Sequence, residues 1–267
     1  MKPLIRGGPQ LNKGRRRSTS QVCILRRHCK KMDTNDCTTF CPSYIAMHGA
    51  SGEGGRVGAA KIPRDYRQVT LDNSPAKENQ KEAYSKVRQY VTTFDRQFNG
   101  ERIKSLYLYS DSPGTGKTTT AAAIANEYLI KHYIGSLYHD RQVLQRPVFF
   151  FDVNEWQQLY NGFNRPAIPA DIAGKAATEY YRWEQFAKET PFVVFDDIGV
   201  RRATEGFRSD LHSVINYRVS NRLPAVYTSN VHYKRLNFVF DERLADRIRE
   251  QCCLIEFQGI SKRGLRD

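Results

Sequence analysis

A glycine-rich turn between a short apolar strand and a helical stretch constrains the fold of this 267-residue chain more than any other feature. The turn reads DSPGTGKT over residues 111–118, and it follows the β-prone run Ser105–Tyr109 and opens a predicted helix over 118–131. Glycines let a backbone wrap closely around phosphate oxygens, and a helix that begins there adds the positive end of its dipole. The pattern therefore predicts a phosphate-binding loop (P-loop) that holds a nucleotide.

Each position of this loop has an expected role. Lys117 would place its ammonium on the β- and γ-phosphates, and the Thr118 hydroxyl would ligate Mg²⁺. The predicted nucleotide-binding residues are Ser112, Pro113, Gly114, Thr115, Gly116, Lys117, Thr118, Thr119 and Asp196. Asp111 stands where the pattern usually begins with glycine, so it either strains the loop or sets an anion near the phosphates. Because Asp tolerates unusual backbone angles, we expect binding to survive, whereas turnover is less secure.

Two later strand ends carry polar residues suited to the same site. The apolar run PFVVF ends in Asp196 and Asp197, which is the Walker B pattern: Asp196 would hold Mg²⁺, and Asp197 would orient or activate the attacking water. The alternative is a solvated turn after a core strand. Asn230 follows the next strand and could hydrogen-bond the water or the γ-phosphate, which the order of the elements favours; an ordinary turn residue is the alternative.

The order of apolar runs and amphipathic stretches predicts an α/β fold with a largely parallel sheet. Strands are expected over 105–109, 147–153, 191–195, 225–228 and 254–257. Helices are expected within 75–98 and over 118–131, 207–219 and 242–250, with a mostly helical interval at 154–190 that Pro166 and Pro169 interrupt.

The charge of the chain is strongly basic and unevenly distributed. The formal net charge is +14, and residues 1–60 carry 11 Lys and Arg against 3 acidic residues. Such an excess favours polyanions such as nucleic acid or an acidic protein surface, but a solvated basic tail gives the same composition. No apolar run approaches the length of a membrane-spanning helix, and no signal-type apolar core follows the basic start. We expect a soluble cytoplasmic protein without a membrane partner.

Four of the six cysteines lie close together near the N-terminus: Cys23, Cys29, Cys37 and Cys41. Four thiolates can close a tetrahedral Zn²⁺ site, and metal binding would supply folding free energy to a short polar segment. His28 or His48 could replace one thiolate. Two disulfides or four free cysteines are the alternatives, and disulfides are disfavoured in a reducing cytoplasm. The remaining pair, Cys252 and Cys253, is expected in the core of a late strand.

Composition and motifs together divide the chain into four segments. Residues 1–20 form a basic flexible tail, and residues 21–50 form a small cysteine-rich unit. The Gly- and Ala-rich residues 51–62 are expected to be a linker. The nucleotide-binding domain occupies residues 63–267.

Arginines late in the chain are candidates for a site shared between subunits. Arg243 and Arg247 are four residues apart and so lie on one helical face, from which an arginine could reach a neighbour's γ-phosphate. On spacing alone, a solvated helix face with local ion pairs to Asp241, Glu242 and Asp246 is favoured. Arg263, after the last strand, is a further cation that could reach nucleotide.

Taken together, SPGTGKT, VVFDDIG, LPAVYTSN, ERLADRI and IEFQGISKR resemble the helicase-loader branch of the AAA+ ATPases, the DnaC/DnaI-like proteins, with IstB-type transposition helpers as relatives. The resemblance covers roughly residues 62–267. It implies an AAA+ ATPase that loads a hexameric replicative DNA helicase onto single-stranded DNA, self-associates through its ATPase domains and hydrolyses ATP slowly.

The same resemblance implies roles for particular segments. Arg247 falls at the arginine-finger position of the family, with Arg243 beside it, and the cysteine-rich unit resembles the zinc-binding helicase-interaction domain of DnaI-like loaders. Residues 154–189 correspond to an initiator-specific helical element. Its aromatic residues, beside Arg165, Lys175 and Arg182, suit base stacking, but packing on the flank of the sheet is the favoured interpretation residue by residue.

Three functions remain open from the sequence. The first is an ATP-dependent helicase loader that uses ATP, Mg²⁺ and Zn²⁺. The second is an IstB-like helper that delivers a transposase, which would not need the zinc-type N-terminal unit. The third is an adaptor between helicase and DNA in which Asp111 has disabled hydrolysis.

Overall fold

The computed structural model describes residues 19, 22–199, 203–259 and 261 of the chain. The basic tail, apart from Thr19, and Arg263 lie outside the described residues. A five-stranded sheet organises the fold, with the strands β1 Ser105–Tyr109, β2 Val148–Asp152, β3 Phe192–Asp196, β4 Ala225–Ser229 and β5 Cys252–Glu256. Their spatial order is β2-β3-β4-β1-β5 and every pairing is parallel, which confirms the predicted sheet.

Helices connect the strands and cover both faces of the sheet. They are α1 Pro42–His48, α2 Gly55–Ala59, α3 Lys81–Val91, α4 Arg96–Asn99, α5 Lys117–Tyr138, α6 Val153–Asn164, α7 Ala170–Glu189, α8 Glu205–Ser220 and α9 Glu242–Gln251. The predicted break in the 154–190 interval is present, because α6 ends before Pro166 and α7 begins directly after Pro169. Proline removes a backbone donor and disfavours helix in the residue before it, so it separates the two helices.

Alternating strand residues divide the core into two layers. Leu106 and Leu108 of β1 pack with α3 and α5 on one face, whereas Tyr107 and Tyr109 pack with α7, α8 and α9 on the other. Strand side chains alternate between faces with a period of two, which explains this division. The largely small-residue run Ala121–Ala125 of α5 is fully buried against the sheet, and this lets the helix approach the strands closely.

The N-terminal segment packs on this domain and is not joined to it by a loose linker. Residues 51–62, expected to be a linker, contain α2, and Val57 and Ile62 are buried in the same apolar cluster as α5. The Arg56 guanidinium donates to the carbonyls of Ala46, Val143 and Leu144. The glycines serve close packing there: a Cβ on Gly55, whose φ is +60°, would lie 2.5 Å from the Met47 carbonyl group.

Backbone pairing extends this attachment to the sheet edge. The amide of Phe150 in β2 donates to the carbonyl of Ala60 at 2.7 Å, and the Arg146 guanidinium donates to the carbonyl of Ala59 at 2.8 Å. Ile24, Leu25 and Met47 join the cluster around α5. The cysteine-rich segment and the nucleotide-binding domain therefore share one hydrophobic core. Among the described residues, none of the helices has the length and apolar character needed to cross a membrane.

Candidate nucleotide-binding site

The glycine-rich turn lies between β1 and α5, as the sequence predicts. Gly114 and Gly116 have φ values of +73° and +101°, which glycine adopts without steric cost. A Cβ on Gly116 would lie 2.7 Å from the Cβ of Ala76, so the preceding segment also requires glycine here. The turn ends at the N-terminus of α5, whose first amide groups and dipole favour an anion.

Lys117 connects the loop to the end of a neighbouring strand. Its side chain is buried, and its Nζ donates to the Ser112 carbonyl at 3.1 Å and to Asn230 Oδ1 at 2.7 Å. Asn230 directly follows β4, which lies next to β1 in the sheet. The structure thus brings together the loop lysine and the asparagine predicted to contact the γ-phosphate or the water.

The Walker B carboxylate forms the second junction. Asp196 ends β3, and its carboxylate accepts hydrogen bonds from Thr118 Oγ1 at 3.0 and 3.2 Å and from Thr228 Oγ1 at 2.7 Å. Burial raises the pKa of the Asp196 carboxyl to about 6, against the lowering effect of the Thr228 and Thr118 hydroxyls. A buried carboxylate beside a hydroxyl is a suitable oxygen donor set for Mg²⁺.

Asp197 has an unusual backbone conformation and partners from two other segments. Its φ is +60°, and its amide donates to Thr228 Oγ1 at 2.8 Å. The Asn154 amide group donates to Asp197 Oδ2 at 3.2 Å. Thr228 therefore accepts from the Asp197 backbone and donates to Asp196, which fixes the orientation of both acids. No sequence motif points to Asn154 or Thr228 for these contacts.

Asp111, the departure from the loop pattern, does not strain the backbone. Among the described residues, six non-glycine residues have a positive φ, and Asp111 is not one of them. Its side chain is exposed, and its carboxylate accepts a hydrogen bond from the Tyr109 phenol. Asp111 therefore does not strain the loop backbone. Its possible effect on nucleotide binding depends on where its carboxylate lies relative to the phosphates.

A glutamine outside the predicted motifs ties the loop to the last strand. The Gln80 side-chain amide donates to the carbonyls of Thr115 and Gln258 at 3.2 and 2.7 Å, and its oxygen accepts from the Gln258 amide. Thr115 is buried, and its Oγ1 has no hydrogen-bond partner within the described part of the chain. Pro113 is exposed and Thr119 is half-buried at the first turn of α5.

Two replicative helicase loaders are similar to this chain in sequence. The replicative helicase loader DnaC of Escherichia coli is 25% identical over 174 residues, which cover 64% of this chain and 59% of DnaC. The replicative helicase loader DnaI of Bacillus subtilis is 28% identical over 159 residues, which cover 58% of this chain and 43% of DnaI. The chain is related to the DnaC/DnaI-type AAA+ helicase loaders. No family model matches it.

Solved structures support the fold assignment of this loader-related chain. A crystal structure of the DnaC helicase loader aligns with a TM-score of 0.52 and 22% identity, over 73% of this chain and all of that one. At this identity the similarity shows the fold alone. The matches to DnaC and DnaI span less than two thirds of those proteins, so their activities do not transfer directly to this chain.

The arginines expected at a loader's subunit boundary differ in their surroundings. Arg243 is exposed on α9. Arg247 is half-buried, and its guanidinium donates to Asn216 Oδ1 at 3.0 Å and Ser220 Oγ at 3.2 Å on α8. Asp241, which we considered as an ion-pair partner, instead caps the start of α9 and lies 2.7 Å from His212 Nε2.

The four N-terminal cysteines line one cavity of about 420 Å³, together with His28 and residues of α5. Across the residues that the structure describes, no three His, Cys, Asp or Glu side chains are arranged to hold a metal ion. All four cysteines are free, so the structure does not contain the disulfides considered from sequence. His48 Nε2 accepts from the Ile24 amide at 3.1 Å, and burial lowers its pKa to about 4.

Several aromatic residues between residues 154 and 189 are core residues. Trp156, Tyr180 and Trp183 are each at most 1% exposed and belong to the apolar cluster that covers one face of the sheet. The Trp156 and Tyr180 rings stack with centroids 4.3 Å apart. Tyr181, in contrast, is 61% exposed. Packing on the flank of the sheet therefore accounts for the three buried rings.

Proposed function

We propose that this chain is an ATP-dependent loader that delivers a hexameric replicative DNA helicase onto single-stranded DNA. The observation that carries the proposal is the junction of three adjacent strand ends, where Lys117 meets Asn230 and Thr118 meets Asp196. Ligands of parallel α/β sheets bind at the carboxyl ends of the strands. The relationship to the named loaders DnaC and DnaI supplies the biological direction.

Each loop group has a role that follows from its position. Lys117 and the first amides of α5 would bind the phosphates. Asn230 accepts a hydrogen bond from Lys117, so its side chain lies beside the expected position of the γ-phosphate. Asp197 would orient the attacking water, with Asn154 and Thr228 fixing its carboxylate and backbone. Because the activity serves a change of partner affinity, we expect slow hydrolysis that depends on assembly.

The residues at the strand ends fit a magnesium ion. Thr118 and Asp196 would hold it, and this limited donor set is adequate because Mg²⁺ keeps several waters and is completed by phosphate oxygens. When bound, the ion would neutralise charge that develops on the phosphates. Its positive charge would also stabilise the ionised form of the buried Asp196 carboxyl.

Self-association would complete the site with an arginine from a neighbouring subunit. Arg247 is the family-position candidate and Arg243 is the exposed one beside it. Arg247 donates to Asn216 and Ser220 of its own chain, so it would have to exchange these two neutral partners for the phosphate of a neighbour. Arg243 is exposed on α9, so it could reach a neighbour's phosphate without giving up hydrogen bonds to Asn216 and Ser220.

Zinc remains part of the proposal for the N-terminal segment. Cys23, Cys29, Cys37 and Cys41 border one cavity, and soft thiolate donors suit Zn²⁺. His28 also borders it, whereas His48 Nε2 is engaged by a backbone amide, which favours His28 as the replacement ligand. Native mass spectrometry of freshly purified protein should find one bound zinc, and Cys37→Ser should reduce that occupancy. A metal-free wild type would refute the assignment.

The test of the function is copurification of the full chain with a hexameric replicative helicase, with and without ATP, in the cytoplasmic conditions in which we expect it to act. Lys117→Ala should abolish ATP binding and any ATP dependence of the complex. Lys131→Ala is the matched control, because Lys131 lies on the same helix but is half-buried and ion-paired with Asp95, away from the loop.

The outcomes separate the possible functions. Helicase capture together with ATP hydrolysis stimulated by single-stranded DNA supports a loader. Capture with residual ATPase rates that are equal in wild type and Lys117→Ala indicates a non-hydrolysing adaptor. Absence of helicase capture would reject the loader and leave an IstB-like helper to be tested with a transposase.

A further inference from the structure

Asp111, the first residue of the phosphate-binding loop, has an acidic side chain where the loop pattern has glycine, and a neighbouring tyrosine hydrogen-bonds to it. Asp111 is exposed at the start of the loop, and the phenol of Tyr109, two residues earlier, donates a hydrogen bond to its carboxylate. A hydrogen bond to an ionised acceptor is stronger than one between neutral groups. The pair therefore gives the Asp111 carboxylate a defined position.

Tyr109 is fixed from several directions and can act as a rigid donor. It is the last residue of β1, which lies between β4 and β5, and its carbonyl accepts from the Phe257 amide at 2.7 Å. Its ring is buried, and the ring of His232 meets its edge at a centroid distance of 4.8 Å and an interplanar angle of 86°. Burial, together with the Asp111 carboxylate, raises the pKa of Tyr109 to about 12, so the phenol keeps its proton at neutral pH.

The position of this carboxylate matters because the site already contains several acids. Asp196 and Asp197 lie at the end of β3, and Asp152 is the register partner of Asp196 on β2. A triphosphate adds further negative charge, so a freely rotating Asp111 carboxylate would spend part of its time near the phosphates and repel them. The Coulomb energy between unit charges a few ångströms apart is large enough to change affinity severalfold even near a protein surface.

We propose that Tyr109 is a positioning residue that holds the Asp111 carboxylate away from the bound phosphates and so lets this loop bind ATP with an acid at its first position. The inference rests on the proposed binding of Mg·ATP. It concerns a residue pair outside the predicted nucleotide-binding set, and it explains how an acid is tolerated where the pattern has glycine.

The test is a double-mutant cycle on the full chain, read out as the Kd for Mg·ATP at equilibrium. Tyr109→Phe removes the donor and should raise Kd about tenfold, because the released carboxylate then reaches the phosphates. Asp111→Gly and Asp111→Asn remove the charge and should shift Kd by no more than about threefold, since the wild-type carboxylate is already held away. In either of these backgrounds Tyr109→Phe should have almost no further effect.

Salt distinguishes repulsion from a general loss of structure. The penalty of Tyr109→Phe should shrink markedly between 0.05 and 0.5 M salt, where the Debye length falls from about 14 Å to about 4 Å. Tyr90→Phe is the matched control: it removes a phenol that donates to the Lys104 carbonyl, away from the loop. It should leave the salt dependence of Kd as in the wild type.

Several results would overturn the proposal. One is an equal penalty for Tyr109→Phe with and without the Asp111 charge, which would indicate a purely structural role. Another is tenfold tighter binding by Asp111→Asn, which would place the wild-type carboxylate against the phosphates; this single variant decides the matter even if Tyr109→Phe does not fold. A wild type that binds no Mg·ATP would instead reject the proposed function, and the pair with it.

Discussion

Replacing Arg218 by leucine should destabilise the fold strongly although Arg218 is outside the nucleotide site. Its side chain is completely buried on α8, and its two terminal nitrogens donate to the carbonyls of Ala187, Thr190, Pro191 and Pro224 at 2.7–3.2 Å. These carbonyls lie at the end of α7 and just before β3 and β4. The guanidinium thus joins the starts of the two strands that carry Asp196, Asp197 and Asn230 of the candidate site at or just after their other ends.

The magnitude follows from two opposing contributions. Leucine leaves four buried carbonyls without donors, and each costs about 1–2 kcal/mol, so the total loss is roughly 4–8 kcal/mol. The substitution also removes the cost of burying a charge, which lowers the pKa of Arg218 from 12.5 to about 10 and corresponds to about 3 kcal/mol. We therefore expect the free energy of unfolding to fall by about 3 kcal/mol.

Urea denaturation at pH 7, followed by circular dichroism, measures this change. Arg182→Leu is the matched control, because Arg182 is exposed on α7 and pairs with Glu179 at the surface, and its loss should cost at most about 0.5 kcal/mol. A decrease below about 1 kcal/mol for Arg218→Leu, with unchanged m-value, would refute the claim that the four carbonyls depend on this guanidinium.

Three further predictions concern the site and its pH dependence. Asn154→Ala frees the Asp197 carboxylate and should lower kcat for ATP about tenfold with little change in KM; steady-state hydrolysis tests this, and an unchanged kcat contradicts it. Because the Asp196 pKa is raised to about 6, Mg·ATP binding should weaken as the pH falls from 7.5 to 5.5, and titrations of Asp196→Asn should lack this dependence. The His48 pKa is lowered to about 4 from 6.5, so the unfolded chain binds the proton more tightly and stability should fall as pH falls from about 6.5 to about 4. In urea titrations, His48→Gln should reduce this dependence of stability on pH. Asp196 acts in the opposite direction over the same pH range: its pKa is raised from 3.8 to about 6 by folding, so its protonation stabilises the folded state as the pH falls.

Local sequence patterns were sufficient for the sheet and for the phosphate-binding loop. The run at 105–109 coincides with β1, and the expected strand at 254–257 overlaps β5 at Cys252–Glu256. These elements are predictable because a short run of apolar residues favours a buried strand. The glycines or acidic residues that follow the run mark the place where the strand ends. The shared strand-end location of Lys117, Asp196 and Asn230 follows from the parallel order of the strands.

Contacts that depend on register or on close packing were not predictable in this way. Asn154 meets Asp197 because Asp152 and Asp196 are register partners, and nothing in the sequence near Asn154 indicates this. The Gly- and Ala-rich residues 51–62 have the composition of a flexible linker. The same small side chains allow α1 and α2 to pack tightly, and only the tertiary contacts of Arg56 and Val57 distinguish the two possibilities.

One helix gives the N-terminal segment a direct physical connection to the candidate nucleotide site. α5 begins with Lys117 and Thr118, and its far half, including Tyr133, Ile134 and Leu137, borders the cavity that the four cysteines line. At 1.5 Å per residue its 22 residues extend about 33 Å without a proline or other break. A shift of the helix on phosphate binding would therefore also move the α5 residues that line the cysteine-lined cavity. A flexible linker could not transmit such a shift, so the close attachment of residues 51–62 is consistent with coupling between the nucleotide and whatever the N-terminal segment binds.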